Sequence, residues 1–392
     1  MVFGVLKDRK EGEFRVVSTP SEVKAITAAG HRVFVEHDAG AAAGFPDIKY
    51  ERAGAEILSS VEEIFLRCDM VAKVKEFTAS ELKYAREGQI LLGCIHPAAN
   101  SEEVDALLKS KCIAFSAEDS HRYGSPNSEA AGKQGALFGL ESLLTFNGGK
   151  GKLVGGIAGS GRISALILGA GAAGQGALEI LHALGAECTV MDINTGVLRE
   201  LLYRYKSSVN TMISTKENIE ALLPRTDLVI NCVKWQKERR DFLIDRKMLS
   251  LMEWGSVIVD VSNDNPGAIE TSHETHHENP RYTVDGVVHF CVSNIPSAVA
   301  NTTSVAYGAE LLPMIMSLLS RGVRETCISD GFFRRSLTAY RGYLTHEETS
   351  ALQARPWIRP EKILGIENEK LDSAPPQSRT ESNNFYTEEI RL

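Results

Sequence analysis

The sequence predicts an α/β fold of two doubly wound, parallel-sheet domains, with the second inserted into the first. The chain has 392 residues, more than one ordinary hydrophobic core can organise. Short apolar segments alternate with helical ones, an order that gives parallel sheets with helices on both faces. A glycine-rich turn between a strand and a helix lies near the middle of the chain.

Residues 1–127 are predicted to form the first part of one domain. Strands are predicted at residues 2–6, 32–36, 70–74, 90–95 and 112–116, with helices in between. The first helix has a clear start signal, because Thr19 can cap it, Pro20 suits its first position and Glu22 completes a capping box. Alternation of this kind predicts a parallel sheet with both faces covered.

The glycine-rich turn follows an apolar strand predicted at 163–168. Gly169 makes the tight turn and Gly171 lets the backbone approach a pyrophosphate. Gly174 lets the next helix, predicted at 175–185, pack closely on the strand. The N-terminus of that helix offers free N–H groups and the positive end of its dipole. Strand, turn and helix in this order are typical of a Rossmann-like dinucleotide-binding domain.

An acidic residue completes the pattern. The next strand, predicted at 188–191, ends at Asp192, which lies 18 residues after Gly174. A carboxylate at this position can accept hydrogen bonds from a ribose diol and repels a 2′-phosphate. We therefore expect NAD, rather than NADP, as the cofactor.

The cofactor domain is expected to be an insertion. We assign residues 128–300 to it and residues 301–364 to the return into the first, substrate-binding domain, because a long apolar-rich helix is predicted at 302–319. From residue 365 the sequence becomes polar, with neighbouring prolines and several serines and asparagines. Residues 365–392 are therefore predicted to be a flexible tail.

Composition limits the partners and the compartment. The formal net charge is −8 and no basic stripe is present, which argues against nucleic acid or an anionic membrane as the main partner. No apolar run approaches the roughly 18 residues that span a bilayer. The N-terminus lacks the layout of a signal peptide, and the seven cysteines include no CxxC pair. These features predict a cytoplasmic protein with reduced, buried cysteines.

Three groups that could bind and transform a small acid follow predicted strands of the first domain. Arg15 lies in the loop after the first strand, Lys75 follows 70–74 and His96 follows 90–95. Ligands of open parallel sheets bind at the carboxyl ends of the strands. Two cations and an imidazole at that edge suit carboxylate binding and proton transfer, although solvated loop charges would give the same pattern.

The second domain offers two further candidates at strand ends. Asp264 follows a strand predicted at 256–261 and could orient a water molecule. Asn294 follows a strand predicted at 287–291 and could bind the nicotinamide side of a cofactor. Both residues also favour ordinary turns, so their positions leave the structural interpretation open.

An apparent zinc-protease motif is interpreted as coincidental. His273 and His277 have HExxH spacing, which binds zinc only on a stable helix with a third ligand. Pro280 follows closely and no capped apolar helix surrounds the motif. No metal site is therefore predicted.

Several motifs together resemble the alanine dehydrogenase family, in order from residue 1 to about 325. They are EFRV at 13–16, VAKVKE at 71–76, REGQI at 86–90, HPAAN at 96–100, SEAAG at 128–132, the glycine turn, GSVIVD at 255–260 and DGVVHFCVSN at 285–294. The transhydrogenase α subunit shares the fold but lacks the catalytic histidine, so His96 argues against that relative.

The resemblance implies roles for individual residues. Arg15 and Lys75 would grip the substrate carboxylate, and His96 and Asp264 would carry the acid–base chemistry. The cofactor contacts would be Ser128, the three glycines, Asp192, Asn294 and Ile295. The resemblance also implies two Rossmann-like domains, NAD as cofactor, a small amino acid or 2-oxo acid as substrate, and a homo-oligomer, either a hexamer or a dimer.

Two departures from the family pattern concern the substrate pocket. Cys94 replaces a usual aromatic residue and Asn127 replaces a usual methionine. Both changes would make the pocket wider or more polar, so alanine itself is in doubt. A synthase that reduces an imine formed from an amino acid and a 2-oxo acid, like carboxyethyl-ornithine synthase, is the alternative to a dehydrogenase. A non-catalytic dinucleotide-binding protein is a third.

Overall fold

The computed structural model describes residues 1–235, 239–263 and 267–374. The chain divides into two compact units, each with its own sheet. Unit 1 comprises residues 1–123 together with the described residues from 300 onward, and unit 2 comprises residues 124–299. The sequence analysis assigned 128–300 to the inserted domain.

The strands are short and distributed over the described chain. They are β1 (Val2–Val5), β2 (Arg32–Glu36), β3 (Glu56–Leu58), β4 (Met70–Ala72), β5 (Ile90–Gly93), β6 (Ile113–Ser116), β7 (Ser164–Leu168), β8 (Glu187–Asp192), β9 (Asn210–Ile213), β10 (Leu228–Asn231), β11 (Val257–Asp260), β12 (Arg281–Val284), β13 (Val287–Phe290), β14 (Leu337–Tyr340) and β15 (Tyr343–Leu344).

The helices connect these strands. They are α1 (Pro20–Ala28), α2 (Asp47–Arg52), α3 (Val61–Arg67), α4 (Ala79–Leu82), α5 (Ser101–Ser110), α6 (Pro126–Ser142), α7 (Ala172–Ala183), α8 (Thr195–Arg204), α9 (Lys216–Leu222), α10 (Arg246–Leu249), α11 (Ala300–Ser329), α12 (Gly331–Arg335), α13 (Glu347–Gln353) and α14 (Pro360–Ile363). The predicted α/β class is confirmed, and so is the capping box of Thr19 and Glu22 that begins α1.

The sheet of unit 1 has eight strands in the order β15-β14-β6-β5-β4-β1-β2-β3. Strands β1 to β6 pair in parallel, as predicted, but β14 and β15 are antiparallel. Only Arg341 and Gly342 separate β14 from β15, and both have positive φ, at 49° and 93°. A two-residue turn of this kind joins antiparallel strands, so this edge of the sheet is mixed rather than parallel.

The sheet of unit 2 has seven strands in the order β12-β13-β11-β10-β7-β8-β9. All neighbours pair in parallel except β12 and β13. Asp285 and Gly286 form the turn between those two strands and have positive φ, at 48° and 85°. The predicted parallel sheet is thus present, and the one antiparallel pair among its described strands lies at this edge for the same local reason as in unit 1.

Each sheet buries apolar side chains on both faces. In β5, Ile90 and Leu92 belong to one core cluster and Leu91 to the cluster on the opposite face. In β7, Ile167 and Leu168 likewise belong to different clusters. Alternation of this kind is expected when helices cover both faces of a parallel sheet. Because helices cover both faces, the polar loops lie at the ends of the strands, including the carboxyl ends.

Part of the predicted tail packs onto unit 1. Ile366 is fully buried in its main core, and the Asp372 carboxylate accepts hydrogen bonds from the Gly331 backbone and the Arg122 guanidinium. Residues 365–374 therefore belong to this unit, which corrects the predicted start of the tail; the rest of it, 375–392, lies outside the described residues. No helix within the described ranges is both long and apolar enough to cross a bilayer.

Candidate functional site

Unit 1 gathers three of the predicted substrate and catalytic residues at one edge of its sheet, whereas Asn127 belongs to unit 2. Arg15 lies in the loop after β1, Lys75 follows β4 and His96 follows β5. These three strands are neighbours and run in parallel, so their carboxyl ends meet. The Asp8 carboxylate in the β1 loop accepts a 2.7 Å hydrogen bond from the Lys75 backbone, which fixes the loops after β1 and β4 to each other.

Arg15 is buried and held rigidly. Its guanidinium donates hydrogen bonds of 2.7 and 2.5 Å to the two carboxylate oxygens of Glu13, and the side chains are 3% and 0% exposed. Burial opposes ionisation of Glu13, but the hydrogen bonds and charge of Arg15 outweigh it and lower the pKa of the carboxyl. A bidentate pair of this kind sets the orientation of the guanidinium.

Two neighbouring lysines on one segment differ sharply. Lys73 is 1% exposed and its ammonium lies 3.1 Å from Glu81 and 3.8 Å from Asp8, so it is a buried structural cation. Lys75 is half-buried, and no carboxylate among the described residues lies within 4 Å of its ammonium. Of these two lysines, Lys75 is the one available to an anionic ligand.

His96 has a left-handed backbone, with φ of 48°. Its backbone N–H donates a 2.6 Å hydrogen bond to Oε1 of Glu118, and its Nδ1 lies 3.5 Å from the same oxygen. Desolvation and repulsion from Lys75 lower the pKa of the imidazole to about 4, against the attraction of Glu76. Since 48% of the side chain is exposed, solvent weakens the desolvation and Lys75 is the firmer cause. The imidazole is thus neutral near pH 7 and able to accept a proton.

Glu118 was not singled out by the sequence analysis. It lies in the short helical turn Ala117–Asp119 after β6, the neighbour of β5 in the sheet. Burial and the adjacent Asp119 raise the pKa of its carboxyl to about 8, and its Oε2 is buried without a hydrogen-bond partner among the described residues. Glu118 closely follows a strand predicted at 112–116, and a position after a strand is the feature by which His96 is predicted as a site residue. The same feature could have identified Glu118.

Cys94 lies two residues before His96 and is buried. Its sulfur is 3.1 Å from the hydroxyl of Tyr307, which α11 contributes and which is fully buried. Burial raises the pKa of the Cys94 thiol to about 12, so the thiol stays neutral. The space beside Cys94 is therefore occupied by a phenol from a distant part of the chain, and the sequence analysis did not foresee this residue.

Unit 2 forms the glycine turn between β7 and α7. Gly169 has φ of 89°, a conformation that favours glycine. A Cβ at Gly174 would lie 1.8 Å from the carbonyl oxygen of Gly169, so α7 could not approach the strand with a larger residue there. A Cβ at Gly171 would meet nothing within 4 Å, and no side chain caps α7 at this N-cap residue. The turn thus leaves an open backbone cradle at a helix N-terminus, which suits a pyrophosphate.

Asp192 ends β8 beside this turn. Its Oδ2 accepts a 2.7 Å hydrogen bond from the Ala170 backbone and its Oδ1 accepts one of 2.8 Å from the Asn194 backbone. The carboxylate therefore braces the glycine turn against the start of α8. Each carboxylate oxygen has a second lone pair, so ribose hydroxyls could still donate to it.

Asn127 and Ser128 lie in the first turn of α6, which packs tightly on α7. A Cβ at Gly132 would lie 1.8 Å from the carbonyl oxygen of Ala173, which follows the glycine turn. Ser128 is one helical turn before Gly132 and therefore shares its face. This packing brings the Ser128 side of α6 to the glycine turn.

Asn294 and Ile295 follow β13 and are 4% and 1% exposed. The Asn294 carbonyl oxygen lies 3.4 Å from Nε2 of His277. Ile295 packs beside α6, because its Cδ1 lies 3.7 Å from the position of a Cβ at Gly135. Both residues are thus held in the same unit as the glycine turn.

Asp264, the second predicted acid–base residue, lies outside the described residues. The segment before it is held firmly at the end of β11. The buried Asp260 accepts hydrogen bonds from the Asn231 amide at 2.8 Å and the Asn263 backbone at 3.0 Å. Strand β11 is separated from β7, which precedes the glycine turn, only by β10.

The HExxH segment is not helical. Thr275 forms an isolated bridge with Val292, and the ring of His273 stacks on Tyr282 with centroids 3.7 Å apart. Histidines four residues apart share a face only on a helix, so the premise of the zinc motif is not met. The prediction that no metal is bound stays a prediction.

Comparisons with known proteins cover nearly the whole chain. The family models for the N-terminal and C-terminal domains of alanine dehydrogenase/PNT match residues 4–127 and 135–347. An alanine dehydrogenase of Methanococcus maripaludis is 36% identical over 371 residues, which are 93% of this chain and 100% of that protein. A solved L-alanine dehydrogenase has a TM-score of 0.83 at 34% identity, covering 90% of this chain and 99% of that one. A transhydrogenase from Sinorhizobium meliloti has a TM-score of 0.73 at 22% identity, over 88% and 99% of the two chains, and shows the fold alone.

Proposed function

Because the chain belongs to the alanine dehydrogenase/PNT family, we propose that it is an NAD-dependent oxidoreductase acting on the CH–NH2 group of an L-amino acid. The family resemblance that the motifs predict is confirmed. The reaction would be oxidative deamination to a 2-oxo acid and ammonia, or its reverse. The expectations of a cytoplasmic location and of a homo-oligomer remain predictions.

The observation that carries this proposal is the edge of the unit 1 sheet. A rigid guanidinium, an available ammonium and a neutral imidazole follow three adjacent parallel strands there. Arg15 and Lys75 would bind the substrate carboxylate, because charge-assisted hydrogen bonds are the strong ones. The Lys75 charge acts on Glu13, His96 and Glu118, which supports a shared site for these groups.

His96 would act as the general base. Its lowered pKa keeps it neutral, so it can take the proton of the water that attacks the iminium and then return that proton to the nitrogen, which leaves as ammonia. Glu118 would be a positioning residue, since it holds the His96 backbone and lies beside the ring. Asp264 stays the proposed partner of His96 in proton transfer. NAD, when bound, would take up the hydride from the substrate Cα.

The cofactor site proposed in unit 2 fits a dinucleotide. Gly169, Gly171 and Gly174 would receive the pyrophosphate at the start of α7, and Asp192 would accept from the adenosine ribose. Ser128, Asn294 and Ile295 remain the other proposed contacts. We propose NAD over NADP, because the Asp192 carboxylate opposes a 2′-phosphate.

A second candidate is the imine-reducing synthase. It is kept because Cys94 stands where the family resemblance implies an aromatic residue, although the Tyr307 phenol fills the space beside this thiol. The test is a screen of NADH oxidation with several 2-oxo acids, first with ammonia and then with amino acids such as ornithine or lysine. Turnover with ammonia supports the dehydrogenase. Turnover only with an amine partner supports the synthase, and no turnover with either rejects both.

A further inference from the structure

Two buried polar atoms of the segment 118–121, which follows β6, have no hydrogen-bond partner among the described residues. One is Nε2 of His121 and the other is Oε2 of Glu118. Buried polar atoms are nearly always paired, so two unpaired atoms on one short segment of unit 1 call for an explanation. The proposed roles of Arg15, Lys75 and His96 use neither atom.

His121 is fixed in one orientation. Its side chain is 3% exposed, and its Nδ1 lies 2.7 Å from a carboxylate oxygen of Glu310 on α11. A carboxylate can only accept, so we assign the hydrogen to Nδ1. In the neutral ring Nε2 is then an acceptor, and no described residue donates a hydrogen bond to it. The ring also lies against Tyr307, with centroids 5.9 Å apart.

A continuous set of contacts joins His121 to the proposed carboxylate-binding residues. The Tyr307 ring contacts His121, and its hydroxyl lies 3.1 Å from the Cys94 sulfur. The charge of Arg15 acts on both Cys94 and Tyr307. Glu118 acts electrostatically on the same two residues, so it lies in the neighbourhood of this cluster of unit 1.

We propose that His121 and Oε2 of Glu118 form a subsite for the substrate side chain, and that the preferred substrate is an L-amino acid whose side chain ends in a hydrogen-bond donor, an amino or hydroxyl group. The proposal rests on the proposed function and names its substrate class. The imidazole nitrogen is an acceptor and complements a donor directly. Glu118 is mostly protonated near pH 7 in the free protein, and a cationic amino group beside it would favour the ionised form, which accepts. The nearby Glu310 carboxylate adds favourable charge for the same group. The methyl group of alanine can satisfy neither atom.

Three amino acids of nearly equal shape test the subsite. Norvaline, homoserine and 2,4-diaminobutyrate end in a methyl, a hydroxyl and an amino group on the same two-carbon stem. Norleucine, 5-hydroxynorvaline and ornithine repeat the comparison one carbon further. At one of the two chain lengths, the hydroxyl or the amino substrate should have a higher kcat/KM with NAD than the methyl substrate of the same length. We expect the difference to be on the order of 10- to 100-fold, because the methyl group leaves the buried atoms unpaired.

Three variants assign the preference to His121. In His121→Phe, which keeps a ring but no acceptor, the donor-to-methyl ratio of kcat/KM should fall to near one, whatever the change in the turnover of the methyl substrate itself. His121→Gln offers an amide oxygen and should recover part of the ratio. The control is His31→Phe, at a half-buried histidine of unit 1, which should leave the ratio unchanged. Thermal melting first verifies that each variant is folded.

The outcomes separate the two levels of the proposal. If the wild-type protein reduces NAD with none of the six amino acids, the proposed deamination fails. If it turns over norvaline and norleucine as well as their donor counterparts, only the subsite is overturned and bound water satisfies the two atoms. A preference for donors that survives in His121→Phe also overturns the subsite.

Discussion

The backbone N–H of His96 donates a 2.6 Å hydrogen bond to Oε1 of Glu118, and the same oxygen lies 3.5 Å from Nδ1 of the His96 ring. One carboxyl group therefore supports both the backbone and the imidazole of the proposed base. His96 has φ of 48°, a conformation that costs about 1–3 kcal/mol and persists only where its surroundings enforce it. Removal of Glu118 would release that constraint without touching the imidazole itself.

Substitutions at these two residues should differ in degree and in pH dependence. We expect His96→Ala to lower kcat by about 10²–10⁴-fold while NADH still binds. Glu118→Ala should lower kcat by roughly 10- to 100-fold, because His96 loses its orientation. Glu118→Gln keeps an acceptor for the His96 backbone and should lose less. It should also lack any wild-type change in kcat/KM near pH 8, where Glu118 ionises. Near-normal kcat in His96→Ala would make that residue structural.

The adjacent lysines should respond in opposite ways. Lys75→Met should raise KM for the amino acid by about 10- to 100-fold, because a charge-assisted hydrogen bond is lost, and leave thermal stability almost unchanged. Lys73→Met should instead destabilise unit 1 by about 3–5 kcal/mol, because it leaves the buried Glu81 carboxylate without one of its partners. Denaturant unfolding measures the stability of both variants, and steady-state kinetics measures their KM for the amino acid. A loss of stability in Lys75→Met would contradict the assignment.

Two glycines of one turn offer a matched pair of substitutions. Gly174→Ala should destabilise unit 2 by about 1–3 kcal/mol, because its Cβ would overlap the Gly169 carbonyl oxygen. Gly171→Ala has room for its Cβ and should keep its stability, yet weaken NADH binding, because that Cβ would occupy the approach of the pyrophosphate. Thermal melting and NADH fluorescence titration measure the two effects. Unaltered NADH affinity in Gly171→Ala would show that the pyrophosphate does not bind at this turn.

Asp192→Asn should narrow the preference for NAD over NADP. The amide keeps one acceptor for a backbone N–H, so the brace between Ala170 and Asn194 is weakened rather than abolished. It removes the charge that repels a 2′-phosphate, and like charges in contact cost several kcal/mol. We expect the ratio of kcat/KM values for the two cofactors to fall on the order of 10-fold. Wild-type preference for NADPH would reject the assignment of NAD.

Stability should fall as the pH rises toward 8. Burial raises the pKa of Glu103 from its ordinary 4.5 to about 8, against a hydrogen bond from the Phe77 backbone. Between these values the folded protein holds one more proton than the unfolded chain. The contribution of protonated Glu103 to the free energy of unfolding is fully present below pH 4.5 and is lost as the pH rises through 8. Each such group contributes up to about 1.4 kcal/mol per pH unit.

The variant Glu103→Gln tests this account. It cannot ionise and can still accept from the Phe77 backbone, so its free energy of unfolding should depend less on pH than that of the wild type between 4.5 and 8. Denaturant titrations at several pH values measure the slopes. Equal slopes for the two proteins would assign the pH dependence to other groups.

Local signals carried most of the prediction from sequence. The capping box at Thr19 and the spacing of the glycines depend on neighbouring residues, and each produces the element that it predicts. The antiparallel strand β12 had a local signal too, since Asp285 and Gly286 form a typical hairpin turn. Arg341 and Gly342 are less distinctive, so the hairpin at β14 was harder to anticipate.

Contacts between distant segments could not be predicted in this way. Cys94 and Tyr307 are 213 residues apart, and His121 and Glu310 are 189 apart. No residue near Cys94 in the sequence predicts that the phenol of Tyr307 on α11 fills the space beside it. The sequence analysis could therefore identify a change at position 94 but not what replaces the usual aromatic side chain.

The sheet order of unit 1 has a consequence for biosynthesis. Ser116 of β6 and Thr338 of β14 share a 2.6 Å hydrogen bond, although they are 222 residues apart. A ribosome that adds about 5–20 residues per second would leave the free edge of β6 waiting roughly 10–40 s for its partner, while all of unit 2 emerges. Exposed strand edges recruit other strands, so nascent chains stalled in this interval should be the species that aggregates or engages chaperones.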